Sequence, residues 1–172
     1  WEADAFDGQD AAHVAAEGHD DTGRFMSYWA RSDGAPLLEA LRDYEVPGAG
    51  DWYLRPRELK RAVVAEPYVY KIAGKDVLMT TLSTPVVQDG TYLGVMTVDF
   101  ALQSLQERIG KLTPMGAGFV RLVTPGGVLI ADRDATRVGK PFDDGDGGAV
   151  LKKIATGESV FRETEGSDGE AL

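Results

Sequence analysis

The stretch that decides the fold is EPYVYKIAGKDVLMTTLSTPVVQDGTYLGVMTVDF, residues 66–100. β-Branched and aromatic residues dominate it, and two short polar interruptions containing glycine, AGKD around Gly74 and QDGT around Asp89-Gly90, divide it into three runs. Such runs joined by tight glycine turns predict an antiparallel three-strand meander. Side chains alternate across a strand, so Tyr68, Tyr70 and Ile72 share one face of the first run, and Val95, Thr97 and Asp99 share one face of the third. If the two faces coincide, a carboxylate lies among phenols.

Working outward, RPRELKRAVV (55–64) precedes the meander. Pro56 is tolerated in a first helical turn, and the apolar positions 59, 62 and 63 predict a short amphipathic helix here. Upstream, FMSYWAR (25–31) reads as a strand, SDG (32–34) as a turn, and PLLEALRDY (36–44) as a short helix or strand. Residues 1–24 are rich in Asp, Gly and Ala, without a period, and read as loop with a turn of helix. Downstream, 101–112 reads as a helix, 119–132 as a hairpin around Pro125-Gly126-Gly127, 149–157 as a helix stopped by Gly157, and VFRET (160–164) as a strand. The organisation is therefore α+β with central antiparallel sheets: a module over 1–100, a connecting helix over 101–112 and a second, incomplete module over 113–172.

Bulk properties narrow the function. The 172 residues can bury a core, and 43% hydrophobic with 27% charged residues marks a folded domain. No apolar run reaches the roughly 18 residues of a membrane span. The net charge of −10 argues against nucleic acid, because no basic stripe exists to neutralise phosphates. Zero cysteines exclude thiolate catalysis and zinc–thiolate sites. His13 and His19 among acidic residues read as solvated side chains and not as metal ligands. FDDGDGG (142–148) is no calcium loop, since Ala155 falls where a glutamate is needed. Ser27, Ser83 and Ser159 lack a histidine or an elbow context, so no catalytic residues, metal or cofactor are expected.

The aromatic residues of 50–81 permit two readings. As a cage, Trp52, Tyr53, Tyr68 and Tyr70 would present faces that attract a cation by about 0.5–2 kcal/mol each. As packing, the tyrosines are ordinary half-buried strand residues, and Trp52-Tyr53 plugs the sheet. Asp99 is equally divided, because Asp-Phe-Ala-Leu-Gln also fits a helix N-cap and first turn. Spacing alone leaves both open.

The run GRFMSYWAR (23–31), DYEVPGAGDWYLRPREL (43–59), EPYVY (66–70), DVLMTTLSTPVV (76–87) and GVMTVDF (94–100) resembles the double Cache sensor domains of bacterial chemoreceptors. GFVRLVTPGGVLIADRDATRVGKPF (118–142) resembles their membrane-proximal module. The resemblance implies two PAS-like Cache modules, the first binding a ligand. It also implies a periplasmic or extracellular location in a membrane-anchored homodimeric receptor, and a long N-terminal helix lying outside this chain, as in a piece of a longer protein. In the amino-acid-binding members, an arginine two residues before the Trp clamps the ligand carboxylate; that position is Gly50 here. Trp52, Tyr53, Tyr68 and Asp99 match the family pattern, whereas the amine-contacting Asp two residues after the pocket tyrosine is Tyr70. Losing a guanidinium fork and gaining a ring moves the site toward methylated amines such as choline or a betaine, because a quaternary ammonium offers no N–H donor and suits π faces beside one diffuse charge. Tyr28, Trp29 and Thr97 complete the expected lining. An amino-acid or polyamine sensor with Arg24 or Arg31 taking the carboxylate, and the sensor domain of a histidine kinase or cyclic-nucleotide enzyme, stand as the alternatives.

Overall fold

The computed structural model describes every residue except 4, 6, 7, 33, 144–147 and 160–172. The expected strand at 160–164 and most of 142–148 lie outside the described residues. The chain divides into two compact units, Trp1–Arg108 and Ile109–Leu172.

The first unit is built on the meander. β4 (Tyr68–Ile72), β5 (Lys75–Gln88) and β6 (Thr91–Ala101) pair antiparallel, with Ile72 opposite Lys75 and Gln88 opposite Thr91, so both turns fall where the glycines stand. Ala73-Gly74 and Asp89-Gly90 all take positive φ, the mirror-type turn that matches strand twist. The short β3 (Val63–Val64) pairs with Ser83 and Leu82 on the β5 edge that β4 leaves uncovered. Upstream, β1 (Ser27–Ser32) and β2 (Ala35–Ala40) form a separate two-stranded hairpin. The segment 36–44, open between helix and strand, is thus strand in its first half.

The helix before the meander lies earlier than its proline suggests. α1 spans Asp51–Leu59 with Pro56 inside it, and Lys60 ends it in the left-handed conformation, donating its N–H to the Pro56 carbonyl. Burial fixes the frame: Trp52 and Tyr53 are 2% and 0% exposed and form a core cluster with Met26 and Ala65. Seating two large aromatics on the sheet outweighs the one internal hydrogen bond that the proline forgoes. Residues 60–64 then leave the helix, and Val63 enters the sheet.

Alternation governs the sheet, with Thr80, buried at 4% where its hydroxyl donates to the Ala65 carbonyl, as the exception. Met79, Thr81 and Ser83 are buried, whereas Val69, Leu82, Met96, Val98 and Phe100 on the opposite face are exposed, Met96 at 70%. The α1 cluster covers the inner face only. α2 (Leu102–Ile109) follows β6 directly and buries Leu102.

In the second unit, β7 (Leu122–Val123) and β8 (Leu129–Ala131) pair around the Pro125–Gly127 turn, and α3 (Ala149–Thr156) ends at Gly157 with φ +73°. Its buried centre is Leu129, Ala131, Thr124 and Asp132. The Asp132 carboxylate receives Arg121 Nε at 2.8 Å and Arg137 Nη1 at 3.3 Å, and its other oxygen accepts the Asp134 N–H at 2.7 Å. No helix among the described residues is long and apolar enough to cross a membrane.

Candidate functional site

The two strand faces coincide. Tyr68 stands opposite Met79, and Thr81 opposite Asp99, so Tyr68, Tyr70, Thr81, Thr97 and Asp99 all point to the inner side of one sheet. Thr81 Oγ1 donates to Asp99 Oδ1 at 2.6 Å. Its single proton is thereby used, so the 2.7 Å contact with the Tyr68 hydroxyl has Tyr68 as donor. Asp99 lies within β6 and α2 begins only at Leu102, so the aspartate does not cap that helix.

Rings close around this carboxylate. Tyr70 meets Tyr68 edge-on with centroids 6.4 Å apart, and Tyr28 from the β1–β2 hairpin meets Tyr70 edge-on at 5.6 Å. Burial, followed by the charge and hydrogen bond of Asp99, holds the Tyr28 hydroxyl well above the usual phenol range. Burial likewise raises Tyr68, with Asp99 adding to it. Tyr70 is also raised by burial, although its oxygen accepts the Arg42 N–H at 3.3 Å. Leu41, Trp52, Tyr68, Tyr70, Thr97 and Asp99 form a junction packed so tightly that no water-sized space remains between them. No Lys, Arg or His side chain lines it.

Besides a hollow of about 510 Å³ over Tyr68 and Tyr70, walled by Glu39, Arg42 and Asp43, two others share residues with the junction. One, of about 490 Å³, lies between β1 and the sheet and is lined by Tyr28, Trp29, Met79, Thr97 and Asp99, with Arg31 also on its wall. The other, of about 220 Å³, lies against Trp52 and Val95. Thr97 borders the junction and both of these last two hollows.

The expected site residues therefore separate. Trp52, Tyr68, Tyr70, Thr97 and Asp99 meet at the junction, and Tyr28 reaches it from the hairpin. Trp29 points away from Tyr28 across its strand and is 68% exposed, on the rim of the larger hollow. Tyr53 is engaged elsewhere. Its hydroxyl accepts Arg24 Nη2 at 2.8 Å and donates to the Glu2 carboxylate, and its ring packs edge-on against Tyr44 and Tyr92. Arg24 is 7% exposed and held by the Trp1 carbonyl, Tyr53 and Glu45, so its guanidinium is committed to this packing network. Thr81, not singled out in the sequence, proves to be the link between Tyr68 and Asp99; the turn at Asp89-Gly90 alone would set it opposite Val98, and a one-residue register shift between Val87 and Val86 brings it opposite Asp99.

Gly50 closes the preceding loop. A Cβ built there would stand 2.4 Å from the Tyr44 carbonyl oxygen and 2.6 Å from that of Asp43, closer than packed atoms approach. The position has no room here for any side chain, the arginine of the resemblance included.

His13 and His19 stack with ring centroids 5.2 Å apart, and no group of three or more His, Asp or Glu residues among those described gathers to hold a metal.

The family model for the methyl-accepting chemotaxis protein-like first PDC sensor domain matches residues 4–107. Over 96% of its length the chain is 31% identical to methyl-accepting chemotaxis protein TlpQ of Pseudomonas aeruginosa, covering 26% of that protein. Over 77% it is 30% identical to methyl-accepting chemotaxis protein PscA of Pseudomonas syringae pv. tomato, covering 21%. The chain thus spans about a quarter of the length of these curated relatives. Among solved structures, an extracellular domain assigned to a histidine kinase, mmHK1S-Z3, superposes with a TM-score of 0.77 at 29% identity, covering 99% of this chain and 62% of that one. Methyl-accepting chemotaxis protein X superposes at 0.67 and 26% identity, covering 91% and 57%. The chain belongs to the family of methyl-accepting chemotaxis protein-like PDC sensor domains, which are extracytoplasmic, ligand-binding and not catalytic.

Proposed function

We propose that this sensor domain binds a small quaternary amine of the choline or betaine type at the junction of Trp52, Tyr68, Tyr70, Thr97 and Asp99, with Tyr28 as the movable wall. The observation that carries the reading is Asp99: an inward carboxylate ringed by aromatic side chains, with no cationic side chain lining the junction. Asp99 already accepts the Thr81 hydroxyl and stands among aromatic rings, so it offers a cation its charge beside π faces. That suits an ammonium without N–H donors. Three aromatic contacts and one counter-charge supply on the order of −7 kcal/mol, or roughly 10 μM. Because the junction is tightly packed, a ligand seated there must part its rings, and Tyr28, carried on the separate β1–β2 hairpin, is the wall that yields.

One observation favours a second reading. Arg31 and Asp99 line the same 490 Å³ hollow, where an amino acid could bridge them as a zwitterion. A thermal-shift panel separates the two, since a ligand at 100 times its Kd stabilises by about 2.7 kcal/mol. Stabilisation by choline or glycine betaine, with none by amino acids or polyamines, supports the cage; a response confined to free amino acids overturns it.

The two units are read as a distal, ligand-binding Cache module and a proximal one, in a membrane-anchored, homodimeric chemoreceptor. Binding in the first would bias the second, and so the flanking chain, by differential affinity for two arrangements. A histidine kinase is the rival parent, favoured by the likeness to the mmHK1S-Z3 domain. Fusing the chain to a chemoreceptor signalling domain and to a kinase domain, and measuring which output responds to choline, decides between them.

A further inference from the structure

The 490 Å³ hollow meets the junction at Thr97 and Asp99, and Tyr28 stands in its wall. Ile72, Val77, Met79 and Ala101 make much of its lining apolar. Two charged residues border it, of opposite sign: Asp99 and Arg31. Arg31 is exposed and donates one N–H to the Gly34 carbonyl at 3.4 Å, near the outer limit of a hydrogen bond. No carboxylate among the described residues pairs with it, in contrast to Arg24, which is buried and bound on several sides. Its guanidinium therefore keeps donors to offer. Strand alternation sets Arg31 on the same side of β1 as Trp29, so it stands at the rim of the hollow while Asp99 stands within.

We infer that the ligand is a betaine, a quaternary ammonium carrying a carboxylate on a short arm, and that Arg31 is the residue that selects it over choline. The inference rests on the cation reading of Asp99 given above. A quaternary head seated against Asp99 leaves the rest of the ligand in this hollow, because the junction has no space of its own. A bare cation enters a hollow whose two charges already balance, whereas a betaine brings one charge for each of them. Arg31 follows Tyr28 by three residues of β1, roughly 10 Å of strand, a span that the ligand's arm and the flexible arginine side chain divide between them. At the rim the carboxylate keeps part of its hydration, so the cost of burying an ion is largely avoided. The guanidinium meets it there with a planar fork of donors, a contact that the choline hydroxyl cannot match. A polyamine carries a second positive charge toward Arg31 and is repelled.

The test is calorimetric titration of the 172-residue chain with tetramethylammonium, choline, glycine betaine and γ-butyrobetaine at low salt. Tetramethylammonium reports the head alone, and the two betaines differ only in the length of the arm. The tighter betaine is expected to bind about 10-fold more tightly than choline, the worth of one charge-assisted contact at a partly hydrated rim. Arg31→Gln is expected to move the ligands in opposite directions. That betaine weakens about 10-fold, whereas choline and tetramethylammonium, relieved of a like charge, tighten about twofold. A packing defect weakens all of them together, so the crossing separates selection from structure. Arg31→Lys keeps the charge without the fork and restores part of the betaine affinity. Should the variants fail to fold, the four ligands on the parent chain still decide. Neither betaine tighter than choline, or a betaine-to-choline ratio that Arg31→Gln leaves unmoved, overturns the inference and leaves the cation site standing. No binding of any of the four overturns the cation site itself and this inference with it.

Discussion

Asp99→Asn is the most direct probe of the site. The replacement keeps size and an acceptor oxygen for the Thr81 hydroxyl, and removes only charge. A quaternary nitrogen cannot approach a carboxylate oxygen closer than its methyl groups allow, roughly 5 Å between charge centres. At that distance opposite unit charges attract by about 3 kcal/mol at an effective dielectric of 20, and by half that where water penetrates. Asp99 is half-buried, between these limits. A loss of about 2–3 kcal/mol follows, which weakens choline binding roughly 30- to 150-fold. The melting temperature of the unliganded domain should move by no more than about 3 °C, because the Tyr68–Thr81–residue 99 hydrogen-bond chain survives. Titration calorimetry gives the affinity, and a denaturation scan on the same sample gives the stability. A Kd changed by less than about threefold in a folded variant would refute the counter-ion role. Collapse of the fold would show that Asp99 serves the sheet and not a ligand.

Other expectations concern the frame around the site. Tyr53→Phe takes one partner from Arg24 and one from Glu2 in a buried network, and should cost about 1–3 kcal/mol in urea unfolding; no loss would mean that ring packing alone holds α1. Burial, then hydrogen bonds to Asp20 and Glu2 respectively, push Tyr44 and Tyr53 up to about 12 from the 10.0 of the unfolded chain. Their contribution is complete below pH 10 and is lost as pH rises toward 12, because the unfolded chain releases those protons first. The urea midpoint should fall over that window, and more gently in Tyr53→Phe; a flat profile contradicts the assignment. In the second unit, Asp132→Ala withdraws a buried carboxylate from Arg121 and Arg137 and should cost about 3–5 kcal/mol, measured by chemical denaturation; a loss below about 1 kcal/mol would mean that the pair is dispensable.

The meander was legible because its information is local. Alternation supplies the faces and the glycines at 74 and 90 supply the turns, but counting from the second turn would set Asp99 opposite Thr80 on the outer face; a one-residue register shift between Val87 and Val86 moves it opposite Thr81, beside Tyr68 and Tyr70, and that shift is not legible in the residues. What counting cannot supply is competition between distant groups. Pro56 is a strong local signal, yet the helix frame is set by the burial of Trp52 and Tyr53 against a sheet that comes later in the chain. Tyr53 matches the family pattern by position, but its hydroxyl is claimed by Arg24 and Glu2, 29 and 51 residues away. Trp29 sits beside Tyr28 in sequence, and one step along a strand is enough to turn it outward. The hairpin that brings Tyr28 to Asp99 carries no signal in its own residues that it would do so.

Gly50 has a consequence for how such a receptor can change its taste. Because the Asp43–Tyr44 main chain occupies the space where a side chain would begin, no single codon change can place a guanidinium at that point without moving the loop. The loop would have to be rebuilt first, at the expense of the aromatic helix it launches. What that point of the loop can present to a ligand is thereby limited by the main chain itself, and not by the choice of side chain.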